Sequence, residues 1–198
     1  MMRFPQTLRR KVKSFHDDET GNASIELVFM VPLLATITFG LITFFTAFKA
    51  KTQATRAATV ITDMVSRETN PITPTYLSGI SELMDTLIET DATPEYRLTA
   101  FTWNDRYQEY RVRWSKNDGG QGTMTHADLN AVSDQLPTLK KGQRAILVET
   151  WVDYEPLTTI GYGEGTTTFE NFLVAAPRFV PQLCWMQDIN DTSTNPQC

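Results

Sequence analysis

Glu26 is the residue whose chemistry most needs a partner. It stands directly before Leu27–Phe48, a run of 22 residues without a charge. A carboxylate at such a position costs free energy unless it reaches water or finds a counter-charge. The residues just upstream offer one. A cut between Gly21 and Asn22 would create an α-amino group with a pKa of ~7.7–8, largely cationic at neutral pH. On a helix that group lies one turn from Glu26, so the two can pair within a chain or across to a neighbour. The plainer alternative is a carboxylate that marks the edge of the apolar run and reaches outward to water.

The other reactive types are sparse. Cys184 and Cys198 could close a loop of about 15 residues, worth roughly 3 kcal/mol in the chain-entropy model if the compartment is oxidising. In a reducing compartment they are two free thiols. His16 and His126 are isolated from each other and from the cysteines, so no metal site is expected. The glycines of Asn117–Gly122 are not followed by Gly-Lys-Ser/Thr, which argues against a phosphate loop. Asp153 and Glu155 share one face of a predicted strand with Glu149 behind them, and ion pairs with Arg111 and Arg113 are expected there rather than a bound cation. No nucleophile motif of the Gly-x-Ser-x-Gly kind occurs. Neither an enzyme nor a cofactor is expected. Net charge is −5; residues 1–21 carry five basic groups and three acidic ones, or +2, which leaves −7 for the rest. An acidic domain lacks the basic footprint that nucleic acid requires.

The element that must position Glu26 is the apolar run itself. As a helix it extends ~33 Å at 1.5 Å per residue, enough for a hydrocarbon core of ~30 Å. It is longer than the apolar region of a cleaved secretory signal, and the nearest candidate cleavage motif, Ala47-Phe48-Lys49-Ala50, has Phe where a small residue is required. A retained anchor is therefore expected. Arg9, Arg10, Lys11 and Lys13 precede it, against Lys49, Lys51 and Arg56 after it. This bias places the N-terminus in the cytoplasm and residues 50–198 outside it, where a disulfide is favoured. Pro32 lacks an N–H and is expected to kink the helix.

No Pro or Gly interrupts Lys49–Arg67, and Ala54, Ala57, Ala58, Ile61, Met64 and Val65 recur at helical spacing. The anchor is thus predicted to continue as a stem and to end before Asn70-Pro71. A second helix is predicted over Tyr76–Glu89. A hairpin follows, with strands Tyr96–Trp103 and Tyr110–Trp114; Tyr110, Val112 and Trp114 are assigned to one face and Arg111 and Arg113 to the other. A short helix spans Thr125–Gln135, with Thr125 and Asp128 placed to cap it. Arg144–Tyr154 has apolar residues on both faces and is predicted as a central strand. A Gly- and Thr-rich loop covers Ile160–Thr168. Phe169–Val180, limited by Pro177 and Pro181, is predicted as an edge strand. The tail from Gln187 is polar and frays unless Cys184–Cys198 ties it back. The expected class is α+β, divided into a basic cytoplasmic leader (1–21), a membrane-spanning stem helix (22–68) and an antiparallel-sheet domain with short helices (69–198).

A short basic leader, then Gly21, Glu26 at the fifth position beyond it, Pro32 six residues further and an unbroken apolar helix form a pattern that resembles the pilins and pseudopilins of the Tad/Flp pilus class. More narrowly, it is similar to the TadE-like (TadE/TadF) pseudopilins. Leu27 stands where the major pilins of this class have Tyr or Phe, which separates the chain from major pilins. Pro177-Arg178 near a strand end is a further, two-residue likeness. The resemblance implies a pilin-like membrane helix, a periplasmic domain and a minor role in pilus assembly or at the fibre tip or base. It implies cleavage after Gly21 by a prepilin peptidase, with Glu26 guiding assembly. Its implied partners are the inner membrane, other Tad pilins and pseudopilins, and the assembly platform. The alternative is a bitopic envelope protein whose outer domain is a binding module unrelated to pili.

Overall fold

The computed structural model describes residues 20–89, 93–156, 165–190 and 195–198, with side chains from residue 24 onward. The fold is α+β: one long helix followed by a four-stranded antiparallel sheet with short helices on both of its faces. Helix α1 runs Thr20–Arg67. It starts within the predicted leader and ends where the stem was expected to stop. Residues 1–19 of that leader, His16 included, lie outside the described residues. Helix α2 is Pro74–Leu87, two residues earlier at each end than the periodicity predicts. The shift has a local cause: the Thr73 side chain accepts the Tyr76 N–H at 3.2 Å, and Pro74 fills a first-turn position where its missing N–H costs nothing.

The sheet order is β2-β1-β3-β4, with β1 Glu95–Asn104, β2 Glu109–Asp118, β3 Arg144–Tyr154 and β4 Thr167–Ala175. Every neighbouring pair is antiparallel. β3 is central, as its two apolar faces predict. β4 is an edge strand but ends at Ala175, before Pro177 can interrupt a ladder. β2 extends to Asp118, so the predicted loop from Asn117 begins two residues late. Of the predicted Ile160–Thr168 loop, residues 160–164 lie outside the described residues, and Thr167 and Thr168 belong to β4. The helix predicted over Thr125–Gln135 divides into α3, His126–Ala131, and a 3-10 turn, Ser133–Gln135. A capping box starts α3: Thr125 and Asp128 bond each other's backbone N–H, and the Thr125 hydroxyl and N–H hold the Asp128 carboxyl below its ordinary pKa.

One core lies on each face of the sheet. On the first, Ala54, Ala57, Ile61 and Val65 of α1 and Ile80 and Met84 of α2 meet Tyr96, Leu98, Ile146, Val148 and Val152. Small side chains on α1 let its backbone approach the sheet. On the second, Met124, Leu129, Leu136 and Leu139 cover Phe101, Tyr110 and Leu147. Tyr96 illustrates how the first core tolerates a polar atom. Its hydroxyl donates to the Leu77 carbonyl at 2.7 Å, and burial pushes the phenol up to about 12, so it remains a donor.

Two expectations about β2 are corrected. The pairing skips Arg113: Ala100 faces Trp114 while Phe101 faces Val112. This bulge inserts one residue and reverses the alternation beyond it. Tyr110 and Val112 therefore pack on the second face, whereas Trp114 turns to the first. Nor do Arg111 and Arg113 meet the carboxylates of β3. β1 separates the two strands, and Thr102 faces both Arg111 and Arg144, at the end of β3 opposite Asp153. The Glu149 partner is Arg97, directly across on β1, with bonds of 2.7 and 2.8 Å. The Arg97 guanidinium also lies 5.2 Å from the Trp151 ring centroid. Arg111 bonds Glu109, and Asp153 accepts from Thr168 at 2.6 Å.

Candidate functional site along the first helix

Helix α1 has two surfaces of different kinds. From Ser24 to Ile42 no side chain is buried, although Leu27, Phe29, Val31, Leu34 and Phe39 are large and apolar. The most apolar window has a mean hydropathy of 2.3, and among the described residues this is the one helix long and apolar enough to cross a membrane. A helix that is apolar around its whole circumference and uncovered by any other described residue calls for an apolar solvent or neighbouring helices. From Thr43 onward one face changes character. Thr43, Ala47, Ala54, Ala58, Ile61 and Val65 are buried, at three-, four- or seven-residue steps.

The crossover between these surfaces is marked by polar contacts. Thr46 Oγ1 and the Tyr154 hydroxyl lie 2.9 Å apart, and the Tyr154 ring stacks on Phe169. Lys49 Nζ donates to Glu89 at 2.6 Å, which holds that carboxyl below its ordinary pKa. On the opposite side of the same turns Phe44, Phe45 and Phe48 remain exposed, with Phe44 and Phe48 stacked. The base of the sheet domain thus reaches down to the last turns of the apolar run.

The residues singled out in the sequence fall along this helix and at the far end of the domain. Gly21 and Asn22 lie in the first helical turns, where the backbone alone is described. The backbone sets Asn22 and Glu26 one turn apart. Glu26 is exposed, and among the described residues it enters no ion pair. Pro32 lies inside the unbroken helix, which leaves the Val28 carbonyl without its usual N–H donor. Nearby, the Thr36 hydroxyl donates to the Pro32 carbonyl at 2.8 Å.

At the other end, the chain returns to clasp the top of α1. The Arg178 N–H donates to the Ser66 carbonyl at 2.8 Å, satisfying an acceptor of the last turn. The Arg178 and Arg67 side chains both pair with Asp63 at 2.9 Å. Neither contact is readable from the dipeptide Pro177-Arg178. Cys184 and Cys198 form a disulfide. Ile72, Trp185 and Gln197 join in a small ladder beside it. The Trp114 indole N–H donates to the Leu183 carbonyl at 2.8 Å, so the clasp enters the first core. Arg113 and Arg144 both donate to the Cys198 oxygen. Burial and the neighbouring Arg113 charge pull Arg144 below its ordinary pKa. Gln187 to Asn190 is exposed, residues 191–194 lie outside the described residues, and the last residues are tied down.

Among the described residues no three His, Cys, Asp or Glu side chains converge as a metal site. Compared with protein-family models, curated proteins and solved structures, the chain matches none.

The disulfide closes the clasp on two core side chains, Leu183 and Trp185. Cys198→Ser is expected to lower stability by about 2–4 kcal/mol, with red-shifted tryptophan emission at a lower urea midpoint. An unchanged midpoint in the full chain would show that the clasp holds without the bond.

Proposed function

We propose that this chain is a minor, pseudopilin-like component of a Tad/Flp-type pilus. In this reading α1 crosses the inner membrane once, its basic leader stays in the cytoplasm and the sheet domain stands in the periplasm. The observation that carries the reading is the division of α1. Its first half is apolar and bare on every side, and its second half is the backbone of a folded domain. That is the arrangement needed by a subunit held in lipid that later stacks its helix against others.

Gly21, Glu26 and Pro32 supply the remaining support. After a cut at Gly21, the new α-amino group of Asn22 sits one helical turn from Glu26. The pair lowers the cost of keeping both groups beside lipid, and across subunits it sets the stagger of neighbouring helices. Pro32 frees one carbonyl for such a neighbour to satisfy. The protein acts by being placed: a prepilin peptidase trims it, the assembly platform receives it, and other pilins or pseudopilins stack on it at the tip or base of the fibre. No catalysis and no cofactor enter this role.

Intact mass of the protein extracted from membranes tests the reading. A chain beginning at Asn22 is expected, and a retained Met1 sinks the pilin assignment in favour of an unprocessed envelope protein. Glu26→Ala is expected to insert into the membrane normally yet leave cells short of surface pili. Wild-type piliation in that variant would remove Glu26 from assembly.

A further inference from the structure

The two edges of the sheet are treated differently by the chain. Along β2 the edge is closed. The Asn130 side chain spans both outward groups of Tyr110, accepting its N–H at 2.9 Å and donating to its carbonyl at 2.8 Å. The Ser115 hydroxyl accepts the Met124 N–H, and the bulge at Arg113 breaks the register between them. Arg111, Arg113 and Lys116 add charge to the same strand. These are the devices by which edge strands avoid pairing with other chains.

Along β4 no side-chain cap and no bulge is present among the described residues. Its sequence, TTFENFLVA, has no Pro, Lys or Arg and one acid, Glu170. Its pairing with β3 is unbroken from Tyr154–Thr167 to Ile146–Ala175. Among the described residues nothing pairs with its outer backbone. Beside it runs a groove walled by Thr59, Val60 and Asp63 of α1 and by Leu173, Val174 and Arg178. Val60 is 45% exposed, an apolar side chain open to solvent on the half of α1 that carries the domain.

We infer that the β4 edge receives an extended strand from a different protein, antiparallel to β4, as a fifth strand of the sheet. Unpaired strand amides and carbonyls at regular spacing are complementary to an extended backbone. Side chains of the incoming strand alternate between Val60 and Thr59 on the helix side and Phe172 and Val174 on the other. Charge fixes its direction and ends. At the Ala175 end Arg67 and Arg178 share the single carboxylate of Asp63, which leaves a net positive corner. Towards the Thr167 end Glu170 is exposed. The incoming segment therefore begins acidic, continues with uncharged β-branched residues and ends basic.

A second copy of the chain does not fit, a step that rests on α1 being anchored in one bilayer. α1 and β4 run the same way. Thr46 meets Tyr154, which faces Thr167 at the start of β4, and Ser66 meets Arg178 just beyond its end. Antiparallel pairing of two identical β4 edges has its two-fold axis normal to the sheet and would point the two α1 helices in opposite directions. Parallel pairing of identical edges about a two-fold places like groups opposite each other. The β2 edge of a second copy is obstructed by Asn130 and the bulge.

The test uses the full chain in detergent micelles and a synthetic peptide, Asp-Thr-Val-Thr-Val-Thr-Val-Lys, with an N-methylated version of it that cannot donate from alternate residues. Amide hydrogen exchange is read by mass spectrometry. The unmodified peptide is expected to slow exchange across Thr167–Ala175 by about tenfold or more, without effect on Glu109–Asp118. The N-methylated peptide is expected to have no effect, and Glu170→Lys is expected to weaken binding of the unmodified one. Absence of slowing at β4, equal slowing at β2, or, for the chain reconstituted in lipid vesicles, a peptide-free dimer joined through β4 overturns the inference. Since no pilus is involved, a negative result here leaves the pilus reading standing, and a retained Met1 leaves this one standing.

Discussion

A single continuous helix has to satisfy two surroundings. Its first half offers apolar side chains in every direction, and no other described residue buries them. Its second half narrows that surface to one stripe of Ala, Ile and Val, and the sheet is built upon the stripe. Both demands fall on one hydrogen-bonded rod, so the position of the sheet domain along the helix fixes its height above the bare half. Among the described residues Thr43 is the first buried one, and just beyond it Thr46 meets the Tyr154 hydroxyl and Lys49 pairs with Glu89. Everything distal to them, including the Arg178 clasp and the disulfide-tied tail, secures the sheet to the upper end of the same helix.

The domain is stabilised by ordinary means. Its two cores bury mostly aliphatic side chains, and among the described residues its one well-shielded ion pair, Arg97–Glu149, is joined through two hydrogen bonds. Removing one partner of such a pair typically costs about 3–5 kcal/mol because the other charge is left stranded. That pair occupies the chemistry which the line of carboxylates on β3 might otherwise have offered. The sheet spends these polar groups on structure, and among the described residues the outer backbone edge of β4 is left unpaired.

Much of this fold was legible in the sequence, for physical reasons that can be named. The stem was readable because no Pro or Gly interrupts Lys49–Arg67 and its small apolar residues keep helical spacing. β3 was readable because both of its faces are apolar. The faces of β2 were misread beyond Val112. Alternation assumes one residue per step, and nothing in Tyr-Arg-Val-Arg-Trp announces the extra residue at Arg113. The pairing of Glu149 was missed because a strand sequence carries no information about which strand lies beside it. The topology placed Arg97 there and left Arg111 at the far end. Glu26 stood out at once, since a carboxylate at the threshold of an apolar run conflicts with its surroundings. The Asp63 clasp made no such signal, because an exposed acid on a helix is unremarkable until the chain returns to meet it.

The central claim is that α1 changes solvent near Thr43 and that the domain lies on one side of a bilayer. Single cysteines placed from Leu27 to Val60 in the full chain, reconstituted in sealed vesicles, can be probed with a membrane-impermeant maleimide. The account predicts no labelling at any position from Leu27 to Ile42, and labelling at Thr52, Thr55 and Thr59 from one side of the membrane alone. A three- to four-residue rhythm of labelled positions across Leu27–Ile42 would contradict it, because it would show one face of that stretch in water.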